Sequence, residues 1–194
     1  MLEDRLAAPA TVSVEDEQSG ASDAALALAG WRDWVTAHRL GAAFLAGLIA
    51  THMATIIGYW LPSIGLPRLD WNMINGAVYL PGVSKGLVFW SGGFFHYTDG
   101  FVFTLVYVIA LHPAMPLPWS TPGNLVKGLV LGTALAVISC IWMIPEVYAV
   151  PHAGFFSLNL GWKLVLAVFI WHWVYGLNVG LLYNPRSPRR MRRQ

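Results

Sequence analysis

Four long apolar stretches dominate this sequence and restrict what it can fold into. They cover about residues 40–61, 86–111, 125–144 and 158–183 of the 194-residue chain. A helix needs about 20 apolar residues to cross the hydrocarbon core of a bilayer. Only 11% of the residues are charged, against about 25% in soluble domains, so the chain lacks the polar surface of a soluble fold. The sequence therefore predicts an all-α integral membrane protein with four transmembrane helices.

The second and fourth stretches share a spaced His-Gly-Tyr motif. It comprises His96, Gly100 and Tyr107 in the second stretch and His172, Gly176 and Tyr183 in the fourth. At about 100° per residue, the three side chains of each motif lie on one face of a helix. Each motif helix follows a helix rich in small residues, so the sequence predicts two tandem two-helix repeats. Because each repeat has an even number of spans, both copies would point the same way through the membrane.

Small residues recur at four-residue intervals in the first and third stretches. Such ridges let helix backbones approach closely in lipid, where no hydrophobic force drives helices together. The glycines predicted to serve helix packing are Gly47, Gly100, Gly128, Gly132, Gly176 and Gly180. Pro62 and Pro145 are expected to end the first and third helices, because proline cannot continue the hydrogen-bond ladder. The Gly- and Pro-rich segment 63–85 is expected to be a loop along the membrane surface.

The two ends of the chain differ in charge. Residues 1–21 are acidic and rich in Ser and Ala, which predicts a disordered head. Residues 22–39 contain two tryptophans and predict an amphipathic helix at the membrane interface. The alternative is that this helix docks on a partner or on the chain's own loops. Residues 40–185 form the predicted transmembrane domain, and residues 186–194 form a basic tail. Four spans place both ends on one side of the membrane. The excess of Lys and Arg on that side predicts that both termini are cytoplasmic.

Polar side chains inside the apolar stretches are costly in lipid, so they are candidate functional residues. His96 and Asp99 lie three residues apart on one helix, where an acid can fix the tautomer of an imidazole or relay a proton. Together with Tyr107 and Tyr183 they form the predicted proton or polar site. The alternative is that these groups make structural hydrogen bonds between helices.

Histidines on three different helices suggest haem binding as an alternative function. His52, His96 and His172 are candidate ligands of a b-type haem, since facing imidazoles in a helix bundle can hold one. The glycines one turn away would suit a porphyrin face, although a tight helix crossing also requires glycine. The sequence predicts no catalytic residue and no metal site, and the single Cys140 excludes a thiolate cage.

Four segments carry a resemblance to a known group of proteins. They read AGLIATHMATIIG, GGFFHYTDGFVFTLVYVIAL, KGLVLGTAL and WHWVYGLNVGLLYNP. Over about residues 40–185 the chain resembles a family of uncharacterised four-helix proteins of the bacterial inner membrane, described as a domain of unknown function. The resemblance implies a four-helix membrane fold and transfers no catalytic residue. The long loop at 63–85 and the ten tryptophans depart from that family and suggest a surface for a partner.

Three functions are compatible with these observations. The first is a non-catalytic accessory subunit of a larger membrane complex, respiratory or photosynthetic, because few polar residues are available for an aqueous path. Its partners would be membrane lipids and other membrane subunits, with no nucleic acid and no cofactor. The second is a b-type haem electron-transfer protein, and the third is a small proton or solute permease. The sequence favours a protein that is not an enzyme.

Overall fold

The computed structural model describes residues 14–187, with side chains from residue 22 onward. Every regular element in this range is a helix, as predicted. Four of the helices are long and apolar enough to cross a membrane, which the sequence also predicted. These first to fourth spans are Arg39–Ile64, Lys85–Ala114, Thr121–Val147 and Trp162–Leu182. An N-terminal helix, Val14–Ala37, precedes them, and a short loop helix, Trp71–Tyr79, lies between the first two.

The spans do not pack in chain order. The fourth span lies between the third and the first, and the first lies between the fourth and the second. The loop helix packs against the first half of the second span, where Gly92 faces Asn72 and Val88 faces Gly76. The second and third spans have no close backbone packing with each other. The space between them is where the polar interior of the protein is found.

Two prolines lie inside helices that they were expected to end. The first span continues past Pro62 as a 3-10 turn to Ile64. There the proline is one of the first residues of the turn, where its missing N–H is not needed. The third span continues through Pro145 as a π-helix from Ser139 to Val147. The wider π turn changes the bonding pattern at the proline, so the clash that breaks an α-helix is relieved.

The fourth span begins later than the predicted residue 158. Residues Phe155–Leu160 form a 3-10 turn in which Phe156 and Ser157 have positive φ. Gly161 then adopts φ 95° and ψ 144°, a conformation that no helix contains, and the α-helix begins at Trp162. Glycine is suited to this place because it has no Cβ to oppose a positive φ.

The boundary of the N-terminal helix also differs from the prediction. The helix begins at Val14, within the segment predicted to be disordered, rather than at residue 22. Low hydrophobicity disfavours burial, but extending an existing helix needs no new nucleus. Residues 1–13 of the predicted head and residues 188–194 of the predicted tail lie outside the described part of the chain.

Hydrogen bonds join the N-terminal helix to the end of the fourth span. The indole of Trp31 donates to the carbonyl of Leu182 at 3.0 Å, and a guanidinium nitrogen of Arg32 donates to the carbonyl of Pro185 at 3.1 Å. Arg186 forms an ion pair with Asp33. The second half of the N-terminal helix and the segment after the fourth span therefore meet at one end of the bundle, which we call the terminal end. The opposite end carries the loop helix, and we call it the loop end.

Candidate functional site

A small cavity of about 40 Å3 lies between the second, third and fourth spans, towards the loop end. Such a volume admits a few particles of water size. It is lined by Trp71, Asn75, His96, Asp99, Gly100, Phe103, Leu135, Ser139, Met143, Tyr148, Trp171, His172 and Tyr175. Three predicted candidates, His96, Asp99 and His172, therefore line the same space, whereas His52 does not.

Hydrogen bonds fix the tautomers of the two buried histidines. The hydroxyl of Thr55 donates its hydrogen to the carbonyl of Thr51 at 2.7 Å, so it must accept from Nε2 of His96 at 3.1 Å. Nδ1 of neutral His96 is then a lone-pair acceptor, and it has no hydrogen-bond partner among the described residues. In His172, Nδ1 donates to the carbonyl of Val168 at 2.8 Å. Nε2 of neutral His172 is then the acceptor.

Asp99 is the carboxylate of the cavity. It is half-buried, accepts no hydrogen bond and forms no ion pair within the described residues. Its charge acts on two tyrosines outside the spans. Burial, and to a smaller extent the charge of Asp99, raises the pKa of both Tyr79 and Tyr148 above the usual value. Tyr148 thus remains protonated and donates to Asn75 at 2.8 Å. A carboxylate without a partner inside an apolar bundle is the strongest functional signal in the structure.

Aromatic rings form much of the cavity wall. Trp71 contacts Trp171 at 5.9 Å and Tyr148 at 5.5 Å between ring centroids, and Trp171 stacks on Tyr175 at 6.4 Å. The indole N–H groups of Trp71 and Trp171 are buried and have no hydrogen-bond partner among the described residues. Buried polar groups are normally satisfied, so the donor of Trp71 suggests an occupant such as water.

The geometry of the cavity is relevant to the hypothesis that these histidines ligate a haem. Nε2 of His96 and Nε2 of His172 are engaged by the hydroxyls of Thr55 and Ser139, the latter at 3.2 Å. Ligation of iron through these nitrogens would require both bonds to break and a cavity far larger than 40 Å3. His52 lies on the outside of the bundle. Haem binding by these histidines remains a prediction, and it needs a conformation different from the one described.

A second polar cluster occupies the terminal end of the bundle and holds the other two predicted residues. Tyr107 and Tyr183 are both buried, with ring centroids 6.3 Å apart, and both contact His112. They do not line the cavity of Asp99, so the predicted polar site is divided between the two ends of the interior. The hydroxyl of Tyr183 accepts from Nε of Arg39 at 3.1 Å, whereas the hydroxyl of Tyr107 has no hydrogen-bond partner within residues 14–187.

Lys127 is the unexpected member of this cluster. Its side chain is fully buried within the third span. Nζ donates to the carbonyl of His112 at 3.1 Å and lies 4.7 Å from the ring centroid of Trp119. No carboxylate pairs with it in the described part of the chain. Asn124 beside it bonds both His112 and Asn184, at 2.9 and 2.7 Å.

The predicted packing glycines lie at helix crossings. A Cβ on Gly128, Gly132, Gly176 or Gly180 would collide with backbone atoms of the facing helix in the pair formed by the third and fourth spans. A Cβ on Gly100 would collide with the side chain of Thr51, and one on Gly47 would lie 3.0 Å from the hydroxyl of Thr104. Glycine at these places allows the close helix approach that membrane bundles use.

His52 belongs to an outer surface of the first and second spans. Its Nδ1 lies 2.6 Å from the hydroxyl of Tyr97, and both side chains border the exterior of the bundle. Tyr97 also lines a groove of about 580 Å3 between these two spans. The other lining residues are Phe44, Leu48, Asn72, Trp90, Gly93, Phe94, Thr98 and Phe101. The groove is therefore mainly apolar and aromatic, with one polar pair at its edge.

Several of these residues were not among the predicted site residues. Lys127 could have been found, because a cation within an apolar stretch is itself a signal. Asn75 lies in the loop helix, and Tyr148 directly follows the third span. The two residues are 73 positions apart, and no sequence pattern connects them. Trp71 reaches the cavity only because the loop helix folds back onto the second span.

Among the described residues, no three His, Cys, Asp or Glu side chains are placed to hold a metal ion. Comparison with protein-family models, with curated proteins and with solved structures gave no match to this chain. The cavity, the terminal cluster and the outer groove are therefore the features from which a function can be inferred.

Proposed function

We propose that the protein is a non-catalytic accessory subunit of a larger membrane assembly, such as a respiratory or photosynthetic complex. The observation that carries this proposal is the exposed His52–Tyr97 pair beside an aromatic groove in the middle of the first span. Both termini would lie on the cytoplasmic side of a bacterial inner membrane, with the N-terminal helix at the interface. The excess of Lys and Arg at the terminal end supports this orientation.

A histidine exposed in mid-span is unfavourable in a bilayer unless something other than lipid meets it. Ionisable residues in membrane helices normally face the bundle interior or a partner. His52 is exposed, and the tyrosine hydroxyl engages only its Nδ1. Nε2 has no hydrogen-bond partner among the described residues and is available to bond a group of a second protein. A polar group between transmembrane helices contributes to their association because lipid offers it no alternative.

The aromatic lining of the groove is typical of a surface that receives another protein. It has a volume of about 580 Å3, and Trp90 and Phe94 stand at its edge with 75% and 69% of their surface exposed. Rigid aromatic side chains supply large contact areas at small cost in conformational entropy and are enriched where subunits meet. The proposed occupant is one transmembrane helix of another subunit, with its polar contact at the level of His52.

The test is copurification from the native membrane in mild detergent, with the tagged wild-type chain and two variants. Trp90→Ala removes an aromatic edge of the groove, and Trp142→Ala removes a tryptophan of 56% exposure from the third span, outside the groove. We expect stoichiometric partner subunits with wild type and with Trp142→Ala. Trp90→Ala should reduce the partner yield about tenfold or more, as for an aromatic hot-spot residue of an interface.

Equal partner yields from the two tryptophan variants would contradict the proposed docking surface. Recovery of the wild-type chain alone, as a small particle, would contradict the accessory-subunit proposal as a whole. A pure dimer of the chain would show that the groove receives a second copy rather than another subunit. His52→Ala should weaken the partner interaction in the same direction as Trp90→Ala.

The tandem repeat is part of the same proposal. Each motif histidine bonds a hydroxyl on the span that precedes it: His96 with Thr55, and His172 with Ser139. These matching bonds support a duplication of a two-helix unit, with its axis along the membrane normal.

One observation favours the permease as a second candidate function. The interior continues from the cavity towards the terminal end through the hydroxyls of Tyr175 and Thr104, which lie 2.7 Å apart. Such a row of polar groups is what a proton or small-solute path would use. In proteoliposomes, a permease would lose flux on Asp99→Asn while still inserting and folding. Equal flux from wild type and empty liposomes would exclude it.

A further inference from the structure

The cavity near Asp99 offers more hydrogen-bond acceptors than the protein uses. The carboxylate of Asp99 has no partner, and the lone pair of Nδ1 on His96 is also unused within the described residues. The hydrogens of the neighbouring Thr55 and Tyr148 are already donated to Thr51 and Asn75. Because the side chains around the cavity leave these acceptors unsatisfied, an occupant that supplies hydrogens is required.

The walls of the cavity favour a positively charged occupant. Trp71, Tyr148, Trp171 and Tyr175 surround it with aromatic rings. Ring faces attract cations, most strongly where water is excluded. The unpaired carboxylate adds a negative charge, and the described residues provide no Lys or Arg at the cavity to neutralise it. An anion is therefore disfavoured.

We propose that this cavity binds a small monovalent cation that donates hydrogen bonds, of the size of ammonium. The cation would donate to the carboxylate of Asp99 and to Nδ1 of His96, with aromatic rings around it. A volume of about 40 Å3 leaves room for an accompanying water. That water would accept the hydrogen of the unpartnered indole N–H of Trp71.

Metal ions fit this cavity less well. Calcium and magnesium take six or more oxygen ligands, mostly from carboxylates, carbonyls and water. The cavity has one carboxylate, and no group of three metal-ligating side chains occurs among the described residues. Potassium has nearly the size of ammonium, but it donates no hydrogen bond. Discrimination between these two ions therefore tests the acceptor arrangement directly. The site does not depend on the partner subunit proposed above.

The experiment uses the full-length chain in detergent or nanodiscs. Ammonium chloride is titrated against potassium chloride at constant ionic strength, and the unfolding midpoint and tryptophan fluorescence are measured. We expect a saturable response to ammonium alone. At ammonium about a hundredfold above the dissociation constant, the midpoint should rise by roughly 5–10 °C. Equal responses to the two salts, or no saturable response to ammonium, would overturn the proposal and leave water as the occupant.

Two variants test whether the response to ammonium comes from the cavity of Asp99. Asp99→Asn keeps the size of the side chain and removes its charge, so the affinity for ammonium should fall about tenfold or more. Glu146→Gln makes the same chemical change at an exposed position of the loop end that does not line the cavity, and it should bind like wild type. An ammonium response unchanged in folded Asp99→Asn would also overturn the proposal. If Asp99→Asn does not fold, the comparison of ammonium chloride with potassium chloride on the wild-type chain still tests whether the cavity binds ammonium.

Discussion

Replacing Gly176 with alanine should prevent the third and fourth spans from packing and should abolish most of the folded protein. An added Cβ would overlap the carbonyl oxygen of Gly128 and lie 2.9 Å from the backbone nitrogen of Gly132. These are backbone atoms of a facing helix, so no side-chain rotation can relieve the overlap. Overpacking of a core costs about 1–3 kcal/mol or more, and we expect the upper end of that range or beyond.

The control for Gly176→Ala is the same substitution where space is available. A Cβ on Gly41 or Gly86 would have no heavy atom within 4 Å. There, alanine should leave stability unchanged or raise it by about 0.5–1 kcal/mol, because it favours the helix over the unfolded chain. Folded yield and the thermal midpoint in detergent are the measurements. If Gly176→Ala unfolds at the same temperature as Gly41→Ala, the close contact between these spans is not required for stability.

Truncating Lys127 to alanine should destabilise the bundle by about 2–4 kcal/mol, as for other large-to-small changes in a core. The side chain is fully buried, and its loss would leave a void between the third span and the end of the second. It would also remove the bond to the carbonyl of His112 and the contact with Trp119.

Two further variants separate packing from charge at this position. Lys127→Met retains most of the volume and removes a buried cation that no carboxylate pairs with, so it should cost less than Lys127→Ala. Lys85→Ala removes an exposed lysine at the start of the second span and should change stability by less than about 0.5 kcal/mol. The thermal unfolding midpoint in detergent is measured for all three variants. If Lys127→Met lowers this midpoint as much as Lys127→Ala does, the ammonium group itself, and not only the volume of the side chain, stabilises the fold.

The helices were predictable from sequence because they depend on local properties. Length and apolar composition identify the four spans without knowledge of their neighbours. The ends of the spans were less predictable. The third span continues through Pro145 because it widens into a π-helix, and the fourth span begins late because Gly161 adopts a non-helical backbone conformation. These adjustments depend on how each span packs against others, and periodicity carries no information about that packing.

The candidate site was predictable only in part. His96, Asp99 and His172 were identified because polar residues inside apolar stretches are rare and costly. Which of them would meet could not be deduced, since the order of packing differs from the order in the chain. Asn75 and Tyr148 come from segments outside the spans, and only tertiary folding brings them to the cavity.

The joining of the two chain ends has a consequence for biosynthesis. The bond from the indole of Trp31 to the carbonyl of Leu182 links residues 151 positions apart, and the bond from the backbone N–H of Arg186 to the hydroxyl of Thr36 links residues 150 apart. A chain emerging from the ribosome therefore completes the N-terminal helix long before the acceptors for its indole exist. These bonds can form only after the segment that follows the fourth span has been synthesised. Quality control of the nascent chain would thus be able to distinguish chains that have reached residue 186 from shorter ones by whether the N-terminal helix is docked.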